Sequence, residues 1–145
     1  MKTIFKILFS GILLANLSCT HSDDGKKNPE LDENHRTSIV NKLKYELKSA
    51  DLLDGFDGSE KVLESSVVEI DGKFYLRTVF DNEYTATTLL KYDASNNSLI
   101  EDGITCTSKI CATSNGCVPD ASGVKCSPCG GGIGDCTKTV TYPTN

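Results

Sequence analysis

The chain has 145 residues with 15 basic and 20 acidic side chains, seven cysteines, two histidines and no tryptophan. A net charge of −5 argues against nucleic acid or anionic lipid as a partner, because both are gripped by clustered Lys and Arg. The length fits one folded domain with a small appendage.

The N-terminus reads as a leader. Lys2 and Lys6 precede an apolar run from Ile7 to Leu17, broken only by Ser10, Gly11, Ala15 and Asn16, and small Ser18 follows. This is the anatomy of a secretory signal peptide over residues 1–18, and the run falls short of the ~20 apolar residues a membrane span needs. Ordinary cleavage after Thr20, with Ser18 and Thr20 as the small residues, is the alternative cut. Cleavage before Cys19 leaves 13 basic against 20 acidic residues, a net charge of −7. Residues 19–102 hold 10 basic and 18 acidic side chains, whereas residues 103–145 hold three and two.

Leu17-Ser18-Cys19 resembles the lipobox of bacterial lipoproteins, with Asn16 where that family usually has Leu. The resemblance implies that the Cys19 thiol receives a diacylglycerol and that Cys19 becomes the mature N-terminus. Two or three acyl chains, palmitate among them, then hold the protein to a membrane where a single chain is marginal. The following Ser22-Asp23-Asp24 is similar to the export signal of Bacteroidota-type surface lipoproteins, which implies display on the outer face of the outer membrane. Residues 19–36, polar and without apolar periodicity, read as a flexible tether.

Residues 37–105 read as an α+β domain. Ile39, Leu43, Leu47 and Ala50 form one stripe of an amphipathic helix, capped by Thr37 or Ser38 and stopped at Gly55. VLESSVVEI and KFYLRTVF flank Asp71-Gly72, the signature of a two-residue hairpin. TATTLLKYD and LIEDGITC follow across the polar turn Ala94 to Ser98. The expected architecture is an N-terminal helix packed on a four-strand antiparallel meander. The second sheet face meets solvent or the tail.

Residues 106–145 read as a small disulfide-rich loop module. Cys106, Cys111, Cys117, Cys126, Cys129 and Cys136 lie in a segment with little apolar material, which at ~40 residues needs a covalent or metal brace. An exported location favours three disulfides, and six cysteines allow fifteen pairings. Cys126-Ser-Pro-Cys129 has redox-motif spacing, but Pro128 and three glycines surround it where a helix should start. One such pair without a histidine also falls short of a zinc set.

Both histidines, His21 and His35, fall within the tether, which removes histidine-assisted nucleophiles and bases from the domain. Asp51, Asp54, Asp57 and Glu60 recur every three residues. Asp51, Asp54 and Asp57 are a weak Ca²⁺ candidate that departs from the D-x-D-x-D-G loop. The run also supplies carboxylates for a hydrolase, although spacing alone does not place two of them across a scissile bond. No cofactor is implied. The expectation is a non-enzymatic surface lipoprotein that binds a protein or glycan partner. A small carboxylate-dependent hydrolase and a disulfide-stapled protease inhibitor are the alternatives.

Overall fold

The computed structural model describes residues 29–111, 117–120, 122–128 and 136–140. One helix, α1 (Glu33–Ser49), precedes five strands: β1 (Val62–Ile70), β2 (Lys73–Phe80), β3 (Thr85–Asp93), β4 (Ser98–Ser108) and β5 (Thr137–Val140). The strands form one antiparallel sheet in chain order, so that β1 and β5 are its edges. The α+β class, the N-terminal helix and the four-strand meander are as the sequence leads one to expect. β5 is new, and comes from the cysteine-rich tail.

The helix starts earlier than its apolar stripe suggests. The Asp32 carboxylate accepts the backbone N–H groups of Asn34 (2.9 Å) and His35 (3.2 Å), which leaves neither Thr37 nor Ser38 as the cap. Residues 33–36, read as tether, are therefore its first turn, and His35 belongs to the folded domain as an exposed residue. Buried Leu31, just ahead of the cap, ties the entering chain to the core. The helix ends at Asp51 (φ +48) rather than at Gly55. Asp51 N–H bonds Lys48 O and Leu52 N–H bonds Leu47 O, the paired closure of a left-handed helix stop. Aspartate tolerates that backbone better than most side chains.

The turns follow from backbone sign. Asp71 (φ +51) and Gly72 (φ +72) join Ile70 to its partner Lys73, giving the primed turn whose twist suits two strands. Between β2 and β3, Phe80 N–H bonds Tyr84 O and Glu83 N–H bonds Phe80 O, with Glu83 left-handed at φ +72. Between β3 and β4, the Asp93 carboxylate accepts from Ser95 N–H (2.9 Å) and the Asn96 amide (2.7 Å). Those bonds, the Asn96 amide first, hold its pKa below the usual value.

The sheet lies between two layers. On one face Leu76, Phe80, Ala86, Leu90 and Leu99 meet Ile39, Val40, Leu43 and Leu47 of α1 in a single core cluster. Phe56, from the loop after α1, sets its ring edge-on to Phe80 (5.4 Å) and Tyr84 (6.1 Å). The rung through Leu76 continues across Thr88, Thr105 and Thr139, all buried, and the Thr88 and Thr105 hydroxyls lie 2.8 Å apart in a hydrogen bond. At the edge of this interface Lys42 Nζ reaches Glu101 Oε2 at 3.5 Å. On the other face Tyr75, Leu89 and Val118 cluster with Val68 and Ile70, and Ile104 packs among cysteines. The tail thus covers the second face of the sheet.

Candidate functional site

The cysteine-bearing tail is locked onto the sheet by two described disulfides. Cys106 on β4 bridges Cys126, and Cys117 bridges Cys136, which immediately precedes β5; their Cα separations are 5.7 Å and 5.5 Å. Cys111 is disulfide-bonded as well. Cys129 lies outside the described residues. Since Cys126 is joined to Cys106, its sulfur is not available to form a redox pair inside Cys126-Ser-Pro-Cys129. The bridges span 20 and 19 positions, and closing a loop of this length constrains the unfolded chain by about 3 kcal/mol.

Polar contacts finish the closure. Tyr75 OH donates to Pro119 O (3.2 Å), and Val118 and Ser127 exchange bonds through Val118 N–H to Ser127 Oγ (2.9 Å) and Ser127 N–H to Val118 O (2.8 Å). The Asp120 carboxylate accepts from Val124 N–H (2.9 Å), Lys125 N–H (3.3 Å) and Ser122 Oγ. Desolvation pushes the Asp120 pKa upward, but the bonds from Val124, Ser122 and Lys125 outweigh it and leave the pKa below the usual value. Tyr75 moves the other way: burial first, then the nearby charges of Asp71 and Asp120, raise its pKa above 10.0. From its place on the hairpin, Tyr75 reads as an exposed binding aromatic. It is instead only 4 % exposed, because both faces of β2 are covered.

The acidic run after α1 serves loop closure. Asp57 Oδ1 accepts Ser59 N–H (2.7 Å), while Glu60 Oε1 accepts Asp57 N–H (2.7 Å), a reciprocal arrangement like a capping box without a helix behind it. The Ser59 bonds hold the Asp57 pKa below its usual value. Glu60 is buried, and Lys44 Nζ donates to its backbone carbonyl at 2.6 Å. Asp51 and Asp54 are exposed. The Asp54 carbonyl accepts from Tyr84 OH at 3.1 Å. Among the described residues no three of His, Cys, Asp or Glu converge as a metal ion requires, so Asp51, Asp54 and Asp57 are not brought together as a Ca²⁺ set.

At the opposite end of the sheet from the Asp71-Gly72 turn, a groove of about 480 Å³ is lined by Leu63, Val79, Asp81, Glu83, Thr85 and Lys109. Its charged groups are engaged: Lys109 Nζ pairs with Glu83 (3.2 Å) and lies 5.7 Å from the Tyr84 ring centre, and Asp81 accepts Lys61 N–H (3.0 Å).

Cys19, Ser22, Asp23 and Asp24 lie outside the described residues. No protein-family model, curated protein or solved structure matches the chain.

Proposed function

We propose that the protein is an exported lipoprotein, anchored through Cys19 and displayed on the outer membrane, whose folded domain is a non-enzymatic binding or accessory module. The observation that carries this reading is the division of the cysteines. Cys106, Cys111, Cys117, Cys126 and Cys136 are engaged in disulfides, a state that an oxidising, exported compartment sustains. Cys19 stands apart from them at the end of an apolar leader. Of the four acids in the run after α1, Asp57 and Glu60 each hold a backbone N–H group, which supports the binding reading over the hydrolase one.

Two variants test it. Cys19→Ala is expected to abolish acyl labelling and move the protein out of the detergent-extracted membrane fraction; a normally labelled variant rejects the anchor. Replacing Asp23 and Asp24 with Ala should leave the protein lipidated but shielded from protease added to whole cells. Unchanged cleavage reduces those two residues to tether.

A further inference from the structure

We infer that the outer edge of β1, from Val67 to Ile70, takes up an extended segment of a partner protein as an added strand, and that this segment carries Lys or Arg beside Glu69. The inference rests on the display reading and specifies the surface and the partner chemistry it implies.

The register identifies which backbone groups face outward. Ile70 and Lys73 close a two-residue turn, which makes them a hydrogen-bonded pair, so bonded pairs recur at Val68 with Tyr75 and Ser66 with Arg77. The intervening residues Ser65, Val67 and Glu69 therefore point their N–H and C=O groups away from β2. An independent contact agrees: Arg36 Nη1 donates to Ser65 O at 2.6 Å from outside the strand. Arg36 occupies the place a neighbouring strand's N–H would take, and β1 is irregular between Val62 and Glu64. Both features guard the start of the edge. Past Arg36 the guard ends, and among the described residues nothing pairs with the outer side of Val67 or Glu69.

The other edge is closed by different means. β5 is four residues long and carries Lys138, whose Nζ donates to Val124 O at 2.5 Å. Toward Ser98 the outer side of β4 is already paired with Glu30, whose carbonyl accepts Leu99 N–H at 3.0 Å. A cavity of about 330 Å³ lined by Leu31, Arg36 and Val67 leaves room for a side chain of an added strand.

Charge selects the partner. β1 contains exposed Glu64 and Glu69 and no basic residue, within a region of 10 basic and 18 acidic side chains. A strand laid against it is attracted if cationic and repelled if acidic, since like charges directly opposite destabilise a pair. Strand addition draws affinity from main-chain bonds and specificity from alternate side chains. A second copy of β1 brings further glutamates to the same edge, which disfavours self-pairing.

The test uses the protein purified from its exported pool and two blocked hexapeptides, Lys-Val-Thr-Val-Thr-Lys and Glu-Val-Thr-Val-Thr-Glu, with amide exchange followed by NMR. At ten times its dissociation constant the lysine peptide should slow exchange at Val67 and Glu69 about tenfold, while the glutamate peptide does nothing. Val67→Pro removes an outward N–H without touching the β2 ladder and should abolish the effect. Glu69→Lys, which leaves the backbone unchanged, should reverse the preference between the peptides even if the proline variant misfolds. Equal slowing by both peptides, slowing elsewhere in the sheet, or no slowing at millimolar peptide overturns the edge site. Slowing that grows with protein concentration alone replaces the partner with a second copy. A protein that is cleaved on whole cells yet shows no peptide effect rejects this site only, and one that shows the peptide effect but is shielded on cells rejects the display reading only.

Discussion

The two faces of this sheet are closed by different physics. Against α1, thirteen buried side chains from Leu31 to Leu99 form one cluster, and burying a Leu or Phe is worth about 1.5–3 kcal/mol. Against the tail, Tyr75, Leu89 and Val118 make a cluster of three, and the neighbouring cluster around Ile104 is mostly cystine sulfur. The described tail residues bring too little apolar surface to order themselves by burial. Bridges of about 3 kcal/mol each supply what burial does not. A sheet can therefore carry a non-hydrophobic cover on one side, provided that the compartment keeps thiols oxidised.

Reduction should break the comparison most severely. Removing a native bridge from a small exported domain costs about 2–5 kcal/mol, and reductant removes all of them. Exchange protection should vanish across residues 117–127 and 137–140, while the amides of α1 and of the β1–β2 hairpin stay protected. Uniform loss of protection shows instead that the two faces fold as one unit. On the helix side, Phe80→Ala deletes a ring that is 1 % exposed and edge-on to Phe56, and should cost about 3–5 kcal/mol in urea unfolding. That variant should leave the tail bridges formed.

Tyr75 sharpens the contrast at single-atom scale. Tyr75→Phe keeps the ring in its cluster but leaves the buried Pro119 carbonyl without its donor, a loss of about 1–3 kcal/mol. Its effect should be confined to the tail side. A change below a few tenths of a kcal/mol means that water replaces the hydroxyl.

How much of this was legible depended on which side chains did the work. Ile39, Leu43 and Leu47 announced α1 because apolar residues at that spacing share one face only when the chain is helical, and Asp71-Gly72 announced a hairpin because both φ angles there must be positive. The helix ends were less visible. Asp32 lies among other polar residues, and only its bonds to Asn34 and His35 distinguish a cap from a tether. β5 was hidden because Thr137–Val140 is short and its inward residue, Thr139, is polar. The burial of Tyr75 was hidden because KFYLRTVF carries apolar residues in both alternating sets, so the pattern could not say whether one face or two was covered. Disulfide pairing needed distances that spacing along the chain does not contain.

The β2–β3 turn offers a smaller effect. Glu83 adopts a left-handed backbone where glycine is unstrained. Glu83→Gly relieves about 1 kcal/mol of that strain but gives up an exposed ion pair with Lys109, worth about 0–1 kcal/mol. The midpoint of thermal unfolding should stay the same or rise slightly. A clear fall means that the Glu83–Lys109 pair, or Lys109 over the Tyr84 ring, matters more than its exposure suggests.

The smallest effect is a coupling between the tail and the sheet. Asp120 has a folded pKa below 3.8, so its stabilising contribution is complete above 3.8 and is lost as pH falls through the lowered value. Tyr75 has a folded pKa above 10.0, so its contribution is complete below 10.0 and is lost as pH rises through the raised value. The two groups are linked, since the Asp120 charge is one of the causes that hold the Tyr75 proton on, after desolvation and the Asp71 charge. Asp120→Asn should therefore lower the Tyr75 titration midpoint, read from its ring resonances, while the other tyrosines stay put. Asp71→Asn should lower it further, because Asp71 ranks ahead of Asp120 among those causes. Burial, the leading cause, should keep the midpoint above 10.0 in either variant. A midpoint that does not move in Asp120→Asn means that solvent screens the pair, leaving desolvation and Asp71 to account for the shift.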